Sequence, residues 1–191
     1  MAEKPTIFVV DDDAAVRRAI ASAGNLLDRP VRQFASATEF LADFDSSRPG
    51  CLVLDLKMPG MTGIELQQRL ADDGVALPIV VVSGHADGRI AVDVMTRGAI
   101  TLLEKPFRLE ELLAQLRKAL EQDEKNRERA KEQAESDAKL AGLTAKEREV
   151  LEAIAAGKTN REIAEDLGLS LRAVEDRRAR LMKKVQARTV A

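Results

Sequence analysis

The chain has 191 residues, of which 45% are hydrophobic and 32% charged, with a formal net charge of −2. That length holds one or two domains, and the apolar fraction excludes wholesale disorder. One cysteine excludes a disulfide framework and a Cys-based zinc site, and the absence of Trp and Tyr argues against stacking platforms for single strands. From the N-terminus onward, Met1–Pro5 is polar and Ile7–Val10 is too short for a secretory h-region, so no leader and a cytoplasmic location are expected. No stretch approaches the ~20 apolar residues of a membrane span. The runs Ile7–Val10, Cys51–Leu54, Ile79–Val82 and Thr101–Leu103 predict fully buried strands, with Val31–Phe34 as a weaker fifth. Cys51 reads as a small buried hydrophobe opening its strand. Helical segments are predicted at about 14–27, 37–45, 62–72, 88–97 and 109–120. Strands alternating with helices predict an α/β fold, a five-stranded, doubly wound parallel sheet.

Residues 121–142 carry 12 charges in 22 positions. Acid-before-base pairs at i,i+4 recur there (Glu121–Lys125, Asp123–Arg127, Glu135–Lys139), each supporting a solvated helix by a few tenths of a kcal/mol. The helix starting near Leu109 is therefore expected to run on to about Leu140. Ala130, Ala134, Ala138 and Ala141 form a thin seam; a solvated linker helix and a weak coiled coil are the two readings. Beyond Gly142, Thr144-x-x-Glu147 and Thr159-x-x-Glu162 predict capping boxes for two helices stopped by Gly157 and Gly168. Gly168-Leu169-Ser170 predicts a tight turn before a last helix from about Leu171 to Val185. Two helices joined by a short turn, the second rich in Arg and Lys, form a helix-turn-helix pattern in a small all-α domain.

In open α/β sheets, ligands sit outside the carboxyl ends of the strands. The residues placed there are Asp11-Asp12-Asp13, Asp55, Ser83 and Glu104-Lys105-Pro106. Asp11–Asp13 also stands where a helix N-cap is expected. Crowded carboxylates repel unless a cation joins them, and an oxygen-only donor set suits Mg²⁺. A carboxylate, Mg²⁺, a lysine and a hydroxyl together suit phosphoryl transfer, with Asp55 as the central acceptor. His85 reads as a loop residue beside this pocket.

Val9-Val10-Asp11-Asp12-Asp13, Asp55-Leu56-Lys57-Met58-Pro59-Gly60-Met61-Thr62-Gly63, Ser83-Gly84-His85 and Lys105-Pro106-Phe107 resemble the receiver domain of two-component response regulators, over about residues 4–120. The resemblance implies a flavodoxin-like fold and phosphorylation of Asp55 by a histidine kinase. It implies Mg²⁺ ligation by Asp12, Asp55 and the main-chain carbonyl of Lys57, with Asp11 acting through water. Ser83 and Lys105 would bind the phosphoryl oxygens, and a cis Lys105–Pro106 bond is implied. The switch pair would be Ser83 and Leu102, the latter standing where the family usually has an aromatic residue. The face formed by roughly residues 88–120 (fourth helix, fifth strand, fifth helix) would form the homodimer of the phosphorylated state.

Leu143–Leu151, Gly157–Ala164 and Val174 to Val185 resemble the LuxR-type helix-turn-helix of FixJ/NarL regulators. On the last helix, Val174, Leu181 and Val185 are expected inward. Arg178 shares that stripe and is expected to pair internally, with Glu147 as candidate. The candidate contacts to double-stranded promoter DNA are Arg172, Glu175, Asp176, Ala179, Arg180, Lys183 and Lys184, and the resemblance puts Glu175, Asp176 and Ala179 at the bases. The family's fourth DNA-domain helix should follow Arg188, yet the chain stops at Ala191, so a truncated DNA-binding domain or a weak DNA binder is expected. The domains predicted are a receiver at 1–120, a linker at 121–142 and a DNA-binding domain at 143–191. The net charge divides accordingly into −3, −2 and +3. The combination predicts a transcriptional regulator rather than an enzyme. The alternative is a phosphorylation-controlled module whose helical domain binds a partner protein.

Overall fold

A computed structural model describes residues 4–84 and 88–185, with Val185 described by its backbone alone. His85, the side chain of Val185 and the segment after Arg188 lie outside the described residues. The elements are β1 (Thr6–Val10), α1 (Ala14–Leu26), β2 (Val31–Phe34), α2 (Ala37–Asp43), β3 (Gly50–Asp55), α3 (Gly63–Asp72), β4 (Ile79–Ser83), α4 (Gly88–Thr96), β5 (Thr101–Glu104) and α5 (Leu109–Ala141). Three further helices follow: α6 (Ala145–Ala155), α7 (Asn160–Asp166) and α8 (Leu171–Val185). The backbone divides into two compact units, one up to Arg127 and one from Glu128. Among the described residues no helix is long and apolar enough to cross a membrane.

In the first unit the strands form one parallel sheet in the order β2-β1-β3-β4-β5. The two-residue period of each strand assigns its side chains to opposite faces. Phe8, Val10, Leu52, Leu54, Ile79 and Val81 pack with Phe40, Leu66, Leu70 and Val94 from α2, α3 and α4. Ile7, Val9, Cys51, Val53, Val80 and Val82 pack with Ile20, Leu112 and Leu116 from α1 and α5. Both faces are covered, which is why the central strands read as unbroken apolar runs. Cys51 is fully buried, and burial pushes its thiol pKa up.

β5 departs from expectation. Thr101, Leu102 and Leu103 are only half-buried, because β5 is an edge strand bonded to β4 alone. The opposite edge, β2, is half-buried for the same reason.

The pair Asp123–Arg127 also differs from its solvated reading. Asp123 is buried, and its carboxylate accepts from the Gly50 amide at 2.8 Å and from Arg127 Nε at 2.9 Å. The Arg127 guanidinium donates onward to the carbonyls of Ser47 (2.8 Å) and Arg48. Helix α5 is thus tied to the loop before β3, and the first unit runs to Arg127 rather than stopping near 120. From Glu128 to Ala138 the helix is exposed at every position.

In the second unit both predicted capping boxes form, at Thr144/Glu147 and Thr159/Glu162. Ser170 Oγ accepts from the Ala173 amide at 3.2 Å and starts α8. Gly157 and Gly168 end α6 and α7 at φ +77° and +62°, a region glycine enters without steric cost. Val150, Ile163, Val174 and Leu181 are buried and form the centre of a small core without aromatic side chains.

Candidate functional site

Four parallel strands end at one edge of the sheet, and each delivers a polar group there. Asp11 follows β1, Asp55 and Ser83 are the last residues of β3 and β4, and Lys105 follows β5. Asp11, Asp12 and Asp55 each offer an oxygen, and all three atoms lie within 4.8 Å of one another. Asp11 is fully buried and Asp55 is 4% exposed, whereas Asp12 is exposed.

The hydrogen bonds divide the carboxylates by role. Asp11 Oδ1 accepts from the Asp13 amide at 2.9 Å, and its Oδ2 from Lys105 Nζ at 2.7 Å. Asp55 Oδ1 accepts from Lys105 Nζ at 3.0 Å, and its Oδ2 from the Lys57 amide at 3.1 Å. Asp13 caps α1, accepting from the Ala15 amide at 2.7 Å. The carboxylate of Asp12 carries no hydrogen bond to a described residue, which leaves it available to a ligand.

Burial raises the pKa of Asp55 above the ordinary value, against the opposing pull of the Lys105 ammonium. Burial depresses Lys105, but its hydrogen bonds to Asp11 and Asp55 outweigh that and its pKa rises. The pocket therefore holds an excess of carboxylate over cation in a partly desolvated place. Three hard oxygen donors so placed fit a hard divalent cation such as Mg²⁺.

The loop after Asp55 folds back sharply. The Gly63 amide donates to the Leu56 carbonyl at 3.0 Å. A Cβ on Gly63 would stand 2.1 Å from the Asp55 carbonyl oxygen, so only glycine allows α3 to start there. The Thr62/Glu65 capping box fixes that start. Ser83 is 1% exposed, and its carbonyl accepts from the Lys105 amide at 2.8 Å, joining the ends of β4 and β5. The Lys105–Pro106 bond is cis. Leu102 packs half-buried on the face that carries Ile90 and Val94 of α4.

In the second unit Val174 and Leu181 turn inward, as predicted. Arg172, Glu175, Asp176, Ala179, Arg180, Lys183 and Lys184 are all exposed along α8. The internal pairings differ from expectation. Arg178 donates to Asn160 Oδ1 at 3.0 Å, at the start of α7, while Glu147 takes Lys184 at 2.8 Å. Lys184 lies six residues beyond Arg178, about 1.7 helical turns, and reaches the start of α6. The Lys184 ammonium, with the Thr144 amide, holds the Glu147 pKa at about 2. Lys184, expected at the DNA, thus already has an acidic partner. Leu171, the first residue of α8, is 49% exposed and was not singled out by sequence. An apolar residue just before a basic face is the signal that was available.

Comparison with known proteins places both units. Residues 7–117 match the response regulator receiver domain family, and residues 141–190 match bacterial regulatory proteins of the luxR family. The chain is 37% identical to the response regulator protein TmoT of Ectopseudomonas mendocina, over 98% of this chain and 86% of that protein. It is 38% identical to the transcriptional regulatory protein FixJ of Azorhizobium caulinodans, over 98% of this chain and 89% of that protein. The solved structure of the response regulator StyR aligns with a TM-score of 0.87 at 36% identity, covering 98% of this chain and 95% of that one.

Proposed function

This chain belongs to the response regulators that join a receiver domain to a LuxR-type DNA-binding domain, and within that family we propose that Asp55 is its phosphoacceptor. It is a phosphorylation-controlled DNA-binding transcriptional regulator, and its domains imply a histidine kinase as partner. The observation that carries the assignment is the Lys105 ammonium bridging Asp11 and Asp55, while the Asp12 carboxylate has no hydrogen bond to a described residue. In this reading the phosphoacceptor domain expected at 1–120 extends to Arg127, the helical linker is what remains up to 142, and 143–191 is the DNA-binding domain.

An Asp55 carboxylate oxygen attacks the phosphorus of a phosphohistidine on the kinase. The new O–P bond forms as the N–P bond breaks, and the imidazole leaves with the electron pair and takes up a proton. Asp12, Asp55 and the main-chain carbonyl of Lys57 would hold Mg²⁺, with Asp11 acting through water. Held by these groups, the ion would supply positive charge against the charge gathering on the phosphoryl oxygens. Lys105 and Ser83 stabilise the charge gathering on those oxygens, and the burial of Asp55 limits competing water.

The acyl phosphate carries about two negative charges at the edge of the sheet where the carboxylate carried one, and adds three strong acceptor oxygens. Lys105 then exchanges part of its bonding from Asp11 to the phosphoryl group, Ser83 follows, and Leu102 carries the change toward α4. The α4–β5–α5 face exposes Val92 (67%) and Met95 (45%), which supports its use for self-association. A two-fold dimer sets two α8 helices on half-sites one DNA turn apart. Arg172, Arg180 and Lys183 hold phosphates, with Lys184 contributing once it leaves Glu147, and Glu175, Asp176 and Ala179 face base edges.

The test is phosphorylation by acetyl phosphate with Mg²⁺, read by intact mass. The wild type is expected to gain one phosphoryl group and Asp55→Asn none. Equal labelling of the variant contradicts the assignment.

A further inference from the structure

Asp12 sits on a backbone that has left the sheet. The ladder of β1 ends at Val10 on both sides, so the Asp11 and Asp12 carbonyls have no strand partner. Both are instead taken by one atom. Arg17 Nη1 donates to the Asp11 carbonyl at 2.7 Å and to the Asp12 carbonyl at 2.9 Å. These carbonyls bracket Asp12: one peptide plane precedes its Cα and the other follows it. Holding both from a single nitrogen restricts the two backbone torsions between them. The direction of the Asp12 side chain, which has no hydrogen bond to another described residue, is thereby set from below.

We infer that Arg17 is a positioning residue for the divalent cation, acting through the backbone of Asp12. The inference rests on the reading of Asp12 as a ligand to that ion. Two effects of the guanidinium oppose each other. Its positive charge stands close to the ion's place and weakens binding. Its two hydrogen bonds pre-arrange the ligand and strengthen binding. Asp12 and Asp13 are solvent-exposed and the Arg17 charge is screened there, whereas loss of an outer hydrogen bond to a ligand commonly costs ten- to a hundredfold in metal affinity. Positioning therefore prevails. Arg17→Lys keeps the charge but loses the reach and planarity of the fork, and restores the effect only in part.

The experiment titrates the full chain with Mg²⁺ alone, followed by calorimetry and by the amide shifts of Asp55 and Lys57. It uses wild type, Arg17→Met, Arg17→Lys, Asp12→Ala and the Asp12→Ala/Arg17→Met double variant. The Mg²⁺ midpoint of Arg17→Met is expected to rise about tenfold, with Arg17→Lys between it and wild type. In the Asp12→Ala background, Arg17→Met is expected to add little, because its effect passes through Asp12. The melting point of Arg17→Met in EDTA is expected to stay near wild type, so that a shifted midpoint does not reflect unfolding. An unchanged or lower midpoint in Arg17→Met, with wild type binding normally, overturns the inference alone. A full additional loss in the double variant overturns it too. Failure of wild type to bind Mg²⁺ overturns the ligand reading of Asp12 and the inference with it.

Discussion

Replacing Lys105 with Met is expected to cost the first unit about 3 kcal/mol of stability in EDTA at neutral pH. The ammonium is the cation bonded to both buried carboxylates, at 2.7 Å to Asp11 and 3.0 Å to Asp55. Methionine fills the space but leaves two neighbouring carboxylates facing each other in a poorly solvated pocket. Asp55 already holds its proton more tightly than usual, and losing its cation raises that pKa further. The folded variant binds protons more strongly than the unfolded chain, so its deficit is largest at neutral pH and shrinks as pH falls into the carboxylate range. Mg²⁺ supplies the missing charge and is expected to restore part of the loss. Urea unfolding at neutral and acidic pH, with and without Mg²⁺, measures both effects. A variant as stable as wild type in EDTA at neutral pH contradicts the role given to Lys105.

Leu181→Ala is expected to abolish the folded state of the second unit in most molecules at room temperature. Leu181 is fully buried and packs with Leu143, Val150, Ile163 and Val174. Truncating a buried leucine costs about 2–5 kcal/mol, and a core of this size rarely supplies more than about 3–5 kcal/mol in total. No aromatic side chain is present after Phe107 to make up the difference. The expected result is loss of helical signal by circular dichroism and rapid proteolysis after Glu128, while Asp55 is still phosphorylated. Unchanged protection of the second unit from protease contradicts this account of its core.

Much of this was legible in the residues. The central strands are read correctly because burial on both faces leaves no polar alternation to confuse the pattern. The helix starts at Ala145 and Asn160 follow from side chains that bond their own local backbone, a purely short-range effect. The pocket is legible because parallel strands share one carboxyl edge, so the residue after each strand has a known destination. What failed depended on long-range partners. Thr101–Leu103 looks like the central strands, and only its place at the edge of the sheet exposes it. Asp123 and Arg127 have the spacing of an ordinary surface pair. Their burial arises from the loop at Ser47–Gly50, more than 70 residues away in sequence. Arg178 and Lys184 both point toward the other two helices of their unit, and only the packing of α8 decides which reaches Glu147. Arg17 left no mark in the sequence because it acts on carbonyls, which every residue has.

The central claim is that the charge added at Asp55 controls DNA binding by the second unit. Its most direct test is the affinity of the full chain for a promoter fragment at one fixed salt concentration, before and after acetyl phosphate treatment, for wild type and Asp55→Asn. Salt must be held constant because phosphate contacts make affinity fall steeply with it. Wild type is expected to bind more tightly after treatment and Asp55→Asn to be unchanged. Equal affinity of treated and untreated wild type, or no binding in either state at low salt, would contradict the account.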